Sequence, residues 1–285
     1  MLQDVLLFAR ERSPFAVIAV LSLLLFSAGL TQFPVSVPLF FSGWLTMFLF
    51  LFLVRLSDDI CDIPIDRITH PERGLCSGAI NLTRINRFRV VAVLVMLALQ
   101  GLQLPALIFI ATVLALFAVF FVLKPRLPTV VHVVLLNGSL AVFPLYAGVL
   151  FSGQLSEFHL LMGLFVWVGG VAHDFSHSLL DTRGVPPQQL NPINRINQRA
   201  LAWWSLLLFA ISAGAGSLLV VRQHTQWGFA ACLITVCCIL VPLIRRLIAQ
   251  PSAATAKPFY VFGFVFFLLP ILGHLGDLLA RWLTV

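Results

Sequence analysis

The run Leu49-Phe50-Leu51-Phe52-Leu53-Val54 gives way at once to Arg55-Leu56-Ser57-Asp58-Asp59-Ile60-Cys61-Asp62-Ile63-Pro64-Ile65-Asp66, and then to Arg67-Ile68-Thr69-His70-Pro71-Glu72-Arg73. Five of the eleven acidic residues of the protein fall between Asp58 and Glu72, directly against a segment apolar enough for lipid. Asp58, Asp62 and Asp66 are spaced i, i+4, i+8, and Asp59 precedes Asp62 by three, so a helical reading puts all four on one broad face. Pro64 has no amide hydrogen and predicts a bend or unwinding before Asp66. Carboxylates this crowded repel one another unless a cation lies among them. An all-oxygen set favours Mg²⁺, which keeps several waters and bridges to phosphate.

Outside that stretch the chain is lipid-like. Of its 285 residues 60% are hydrophobic and only 10% charged, with a mean hydropathy of +1.02, far from the roughly 25% charge of soluble domains. Several runs reach the roughly 18 to 20 residues that span a hydrocarbon core, and they are too long and too evenly apolar for barrel strands. The chain therefore reads as one all-α, polytopic transmembrane domain over 1–285, with nine spans near 14–33, 38–56, 89–103, 105–123, 129–150, 158–175, 201–220, 227–247 and 259–276. The first span reads as a retained helix rather than a signal peptide. Cys61, Cys76, Cys232, Cys237 and Cys238 form no CxxC pair and read as small packing residues.

The net charge of +7 reports topology rather than nucleic-acid binding. With a cytoplasmic amino terminus, 16 of the 18 basic residues lie on the cytoplasmic side, and only Arg222 and Arg281 lie opposite. This predicts a multi-pass protein of the inner (plasma) membrane with its carboxyl terminus on the far side. Two long cytoplasmic segments, about 57–88 and 176–200, hold most of the acidic residues. Arg84-Ile85-Asn86-Arg87 in the first is echoed by Arg195-Ile196-Asn197-Gln198-Arg199 in the second, which suggests an internal repeat of 14–150 and 158–276.

The second segment is preceded by His173-Asp174-Phe175-Ser176-His177-Ser178-Leu179-Leu180-Asp181-Thr182-Arg183-Gly184. Asp174 and Asp181, seven apart, share a helix face with His177 between them. Two carboxylate sets with Arg73 and Arg183 nearby make a clamp for a diphosphate, in which metal bridges the carboxylates to phosphate and the basic groups neutralise the rest. The 26 phenylalanines suit an apolar tail beneath such a head, and aromatic faces stabilise an allylic cation.

These two patches resemble the signatures of the UbiA superfamily of intramembrane prenyltransferases, a nine-helix fold with Asp-rich motifs in cytoplasmic loops after the second and sixth helices. In its first motif, Asn-Asp-x-x-Asp-x-x-x-Asp, Asp58 stands at the Asn position, Asp59, Asp62 and Asp66 match the aspartates, and Arg73 matches a following arginine. In the second, Asp174 and Asp181 match the outer aspartates while His177 replaces the middle one, and His173 stands where Lys is common. Lys124 and Arg126 lie where the family carries basic residues for the diphosphate, with Phe120 and Phe121 rather than a Tyr beside them. The variations are closest to divergent bacterial branches.

The resemblance implies Mg²⁺ held by Asp58, Asp59, Asp62, Asp66, Asp174 and Asp181, and a diphosphate bound by Arg73, Lys124, Arg126, Arg183 and Asn137. It implies transfer of a prenyl group from an isoprenoid diphosphate to a hydrophobic, aromatic acceptor. His177 is open as a metal ligand, a base or a loop cap, and His173, His177 and Tyr260 are candidate specificity residues. Two other readings stand: a terpene cyclase, in which a double bond of the same isoprenoid attacks the cation, and a transporter. The transporter calls for carboxylates and broken helices at the midplane, where the spans are nearly uncharged.

Overall fold

The structure, a computed structural model, describes residues 1–101, 103–177 and 198–284, the side chain of Thr129 excepted. All described regular structure is helical: α1 Leu2–Arg12, α2 Phe15–Ser27, α3 Val37–Thr69, α4 Gly74–Ser77, α5 Leu82–Ala98, α6 Leu104–Leu123, a 3₁₀ turn Lys124–Arg126, α7 Thr129–Ser152, α8 Glu157–His177, α9 Gln198–Val221, α10 Trp227–Ala249, α11 Ala253–Ala256 and α12 Phe259–Thr284. Among the described residues seven helices, α3, α6, α7, α8, α9, α10 and α12, are long and apolar enough to cross a bilayer, so the protein is a multi-pass membrane protein.

These seven coincide with seven of the nine expected spans. The expected span 14–33 contains only the 13 residues of α2, which stops at Ser27 just ahead of Gly29. A Cβ on Gly29 would lie 2.6 Å from the Pro144 carbonyl and from Ala147 Cβ, so the chain turns where α7 lies against it. The expected span 89–103 falls on α5, whose 17 residues carry Arg84, Arg87 and Arg89 in the first turns and stop before Gly101, which has φ +55°.

The first acidic set reads from sequence as one helix face, with a bend or unwinding expected at Pro64 before Asp66. Instead α3 continues for 33 residues through Pro64 to Thr69. A mid-helix proline costs about 3 kcal/mol, and side-chain ties on both sides of it offset that cost. Arg55 pairs with Asp58 at 3.8 Å and Asp59 at 3.4 Å, Lys124 ties Asp58 to Asp62 across one turn, and Arg73 folds back onto Asp66 beyond the proline.

The chain divides into two compact units. The first comprises Met1–Phe26, Val35–Arg126 and Val149–Gln154, and the second Ser27–Pro34, Leu127–Gly148 and Leu155–Val285. In the first unit α3 packs on α5 and α6. Its core carries Phe8 against Phe52 and Phe50 against Phe117, edge to face at 5.7 Å and 5.3 Å, an arrangement the ring quadrupoles favour.

The sequence reading left 1–13 unassigned, and it forms α1, anchored by its polar residues. Glu11 accepts from the Gly74 amide at 3.0 Å and 3.2 Å, and Asp4 accepts from the Asn81 amide at 2.9 Å with Arg84 at 3.7 Å. The Asn81 amide, with help from the amino-terminal ammonium at 3.2 Å and from Arg84, holds the Asp4 carboxyl below the usual carboxylate range. A lowered folded-state pKa stabilises above the ordinary value, and that contribution is lost as pH falls through the folded one. Acidification below the usual carboxylate range is therefore expected to loosen α1 from the start of α5. Hydrogen exchange of the α1 amides should rise at low pH, and Asp4→Asn should flatten that dependence.

In the second unit α8 packs on α9 and α12, and α10 packs on α9 and α12. At Gly228 and Gly273 the α10 and α12 backbones approach so closely that a Cβ on Gly273 would overlap the Gly228 carbonyl, the use that small residues have between membrane helices. Asp277 accepts from the Gly228 and Phe229 amides at 2.9 Å and 3.1 Å, satisfying two orphan donors at the start of α10 from a neighbouring helix. The five cysteines are free thiols, four of them partly buried and Cys238 exposed.

Candidate functional site

The carboxylates of the first set do not act as one uniform face. They separate into two pairs that face different cations, Lys124 on one side and Arg12 and Arg73 on the other, while Arg55 lies near both Asp58 and Asp59. Asp58 and Asp62 converge on the ammonium of Lys124, at 2.5 Å and 2.7 Å. Lys124 reaches them because the helix of α6 ends at Leu123 and the 3₁₀ turn brings position 124 back over α3. Its side chain is 5% exposed and that of Asp58 10%, so the charges are largely withdrawn from water and depend on each other.

Asp59 and Asp66 turn towards α1 and α4. Asp59 takes a two-point pair from the Arg12 guanidinium, Nε at 3.0 Å and Nη2 at 3.1 Å, the fork geometry that suits arginine. Asp66 accepts from Arg73. Arg73 thus stands beside the carboxylate that the sequence pattern associated with it. Arg126 is exposed at the end of the same 3₁₀ turn.

Next to Ser57, one residue before Asp58, opens a cavity of about 530 Å³ between α3, α5 and α6, within the usual range for ligand pockets. Its walls are apolar, with Phe50, Val54, Phe117 and Phe121 among them, and Ser57, Asn86 and Arg89 are its polar lining. Phe121 also connects it to the acidic helix, since its carbonyl accepts from the Cys61 thiol at 3.7 Å.

In the second unit Asp174 lies in the last turn of α8 and accepts from the Asn137 side-chain amide at 2.6 Å. Asn137 also donates to the Val133 carbonyl at 2.9 Å. Gly170 permits this approach of α7 to α8, since a Cβ there would lie 2.7 Å from Asn137 Oδ1. His177 stacks on His173 with ring centroids 4.4 Å apart, and the Tyr260 ring is 6.0 Å from His177 and 6.4 Å from His173. Asp181 and Arg183 lie outside the described residues.

For Mg²⁺ the donor chemistry of the first set fits. Asp58 and Asp62 already present two hard oxygens to one small cation, as a divalent ion requires. Sequence reasoning did not find Arg12, 47 residues before Asp59 in the chain, because no local spacing signals that pair. It also treated Lys124 only as a diphosphate ligand, whereas here it is the counter-ion of two aspartates.

The model of the UbiA prenyltransferase family matches residues 15–269. A search of curated protein sequences gives no match. A solved structure from a study of digeranylgeranylglyceryl phosphate synthase in membranes is similar with a TM-score of 0.71 and 18% identity, over 96% of this chain and 99% of that chain. At that identity the likeness speaks for the fold, while the family match spans both acidic sets. The helical architecture and the sequence signatures agree that the chain belongs to the UbiA prenyltransferase family.

Proposed function

We propose that this protein is an intramembrane prenyltransferase that ionises an isoprenoid diphosphate and passes the prenyl group to a hydrophobic, aromatic acceptor. The observation that carries this reading is the convergence of Asp58 and Asp62 on one largely buried cation, beside a cavity with apolar walls. A ligand with a highly charged head and a long apolar tail suits that division.

In this reading each acidic set would bind metal of its own, Asp58, Asp59, Asp62 and Asp66 holding Mg²⁺ in the first and Asp174 and Asp181 serving as metal ligands in the second. Bound Mg²⁺ would neutralise the diphosphate and make it a better leaving group. Lys124 turns from the carboxylates to a phosphate oxygen, and Arg73, Arg126, Arg183 and Asn137 carry the remaining charge of the head. The phenylalanines of the cavity exclude water and offer their faces to the developing allylic cation. His177 stands at the polar end of α8, suited to metal or to an acceptor proton. In the nine-span reading the two remaining crossings would involve α2 and α5, both shorter than a full span. The basic residues orient the protein with the amino terminus and both acidic sets cytoplasmic, and the carboxyl terminus opposite.

The test is a product analysis. Protein in lipid nanodiscs is incubated with a labelled isoprenoid diphosphate and Mg²⁺, with and without phenolic acceptors, and the products are identified by mass spectrometry. Prenylated acceptor, formed only when acceptor is present, is the expected result. A cyclic hydrocarbon or alcohol formed from the diphosphate alone would overturn the transferase reading in favour of a cyclase.

A further inference from the structure

The end of α8 carries a donor set of a different chemical kind from the aspartates of α3. His173, Asp174 and His177 bring one ligand atom each to within 4.8 Å of one another. The two histidines are four apart on one helix face, the spacing at which paired imidazoles hold a metal.

Their hydrogen bonds decide which nitrogens are available. His173 Nδ1 lies 3.1 Å from the Phe259 carbonyl and His177 Nδ1 lies 2.9 Å from the His173 carbonyl. A carbonyl oxygen only accepts, so both Nδ1 atoms carry the proton, and in each neutral ring the lone pair is on Nε2. An imidazole whose Nδ1–H is fixed by a backbone carbonyl is the arrangement that orients metal-binding histidines. The third donor is oriented in the same way, because Asn137 holds Asp174 through Oδ2 at 2.6 Å.

The site is also built into the packing. His173 is buried, and its ring occupies space that exists because residue 263 of α12 is glycine; a Cβ there would overlap the imidazole. His177 and Asp174 are partly exposed, with side chains 23% and 32% accessible, which leaves a path for an ion. Bonds of about 2.0–2.1 Å to imidazole require donors no more than about 4 Å apart, so the three donors would draw together when an ion binds.

We infer that His173, Asp174 and His177 form a binding site for a borderline divalent ion of the Zn²⁺ and Co²⁺ class, in preference to Mg²⁺. Two imidazoles and one carboxylate suit such ions, whereas Mg²⁺ takes oxygen donors almost exclusively. This deepens the proposed function by giving the second acidic set a different ion from the first, and it is tested without turnover.

Untagged protein, stripped with chelator and returned to nanodiscs, is titrated with Co²⁺ and followed by its visible d–d absorption. We expect one equivalent of Co²⁺ to bind, to be displaced by Zn²⁺, and to withstand a hundredfold excess of Mg²⁺. His177→Gln, at a partly exposed position, should weaken Co²⁺ binding on the order of 100-fold, and His173→Gln should do the same. His224→Gln, which alters a histidine paired with Glu157 elsewhere, should leave the spectrum unchanged. Co²⁺ affinity unaltered in both His177→Gln and His173→Gln, or Co²⁺ displaced by equimolar Mg²⁺, overturns the site. If the prenyl-transfer reading fails, it fails in the product analysis and leaves these spectra as they are.

Discussion

Replacing Lys124 with Met is expected to lower the stability of the folded protein by up to about 3–5 kcal/mol, the usual cost of removing one partner of a buried pair, with Arg55 at 3.8 Å from Asp58 offsetting part of it. The ammonium is the shared counter-ion of Asp58 and Asp62, and its removal sets two carboxylates against each other one helical turn apart. Methionine keeps most of the volume, so the effect isolates charge from packing. The loss should be read by chemical or thermal unfolding in a fixed detergent. Adding Asp58→Asn to Lys124→Met removes the stranded charge as well and is expected to recover most of the stability. Unchanged unfolding of Lys124→Met would mean that the pairing contributes nothing. Lys124→Arg should rescue only in part, since a planar fork cannot sit between two oxygens as a compact ammonium does.

The second large effect is on turnover. Asp62→Ala and Asp174→Ala should each reduce Mg²⁺-dependent consumption of isoprenoid diphosphate on the order of 10²- to 10³-fold, the range seen when one preorganised electrostatic group is removed from an active site. Both side chains are about one-third accessible, and in Asp62→Ala the buried Asp58 keeps Lys124, so folding should survive. Unfolding midpoints close to wild type, together with lost turnover, would separate a role in the reaction from a role in the fold. Normal turnover in both variants would remove these residues from the site.

Much of this arrangement is visible in the chain itself because it depends on short-range pattern. Composition alone calls for membrane helices, since a backbone in lipid must satisfy its own hydrogen bonds. Seven of the helices follow directly from apolar length. The aspartates of α3 stand out because acidic residues at a membrane boundary are costly and give little topological benefit. The motif spacing is by itself sufficient to point to the family.

Local rules failed at three places. Pro64 argued for a bend or unwinding, and the helix does not unwind, because ion pairs to Arg73 and Lys124 fasten it on both sides, which single-residue propensity does not include. The residues ahead of the first span hold only a short apolar run, Val5 to Ala9, well below the length of a span. They fold as α1 because Glu11, Asp4 and Arg12 find partners far along the chain. The four aspartates looked equivalent by spacing, but a helix face broad enough to hold them all is broad enough to meet different neighbours on its two edges.

By itself, then, the sequence determined the helical membrane architecture, the position of the acidic sets and the family they belong to, because hydropathy and periodicity act over a few turns. Only the tertiary structure decided which cation each carboxylate meets. Arg12 meets Asp59 across 47 residues and Lys124 meets Asp58 across 66, and charge pairing at such separations is set by the packing of whole helices. It also decided which nitrogen of His173 is tied up, since the carbonyl that fixes it belongs to Phe259, 86 residues away. A ring nitrogen's proton follows its hydrogen-bond partner, and the partner is chosen by the fold.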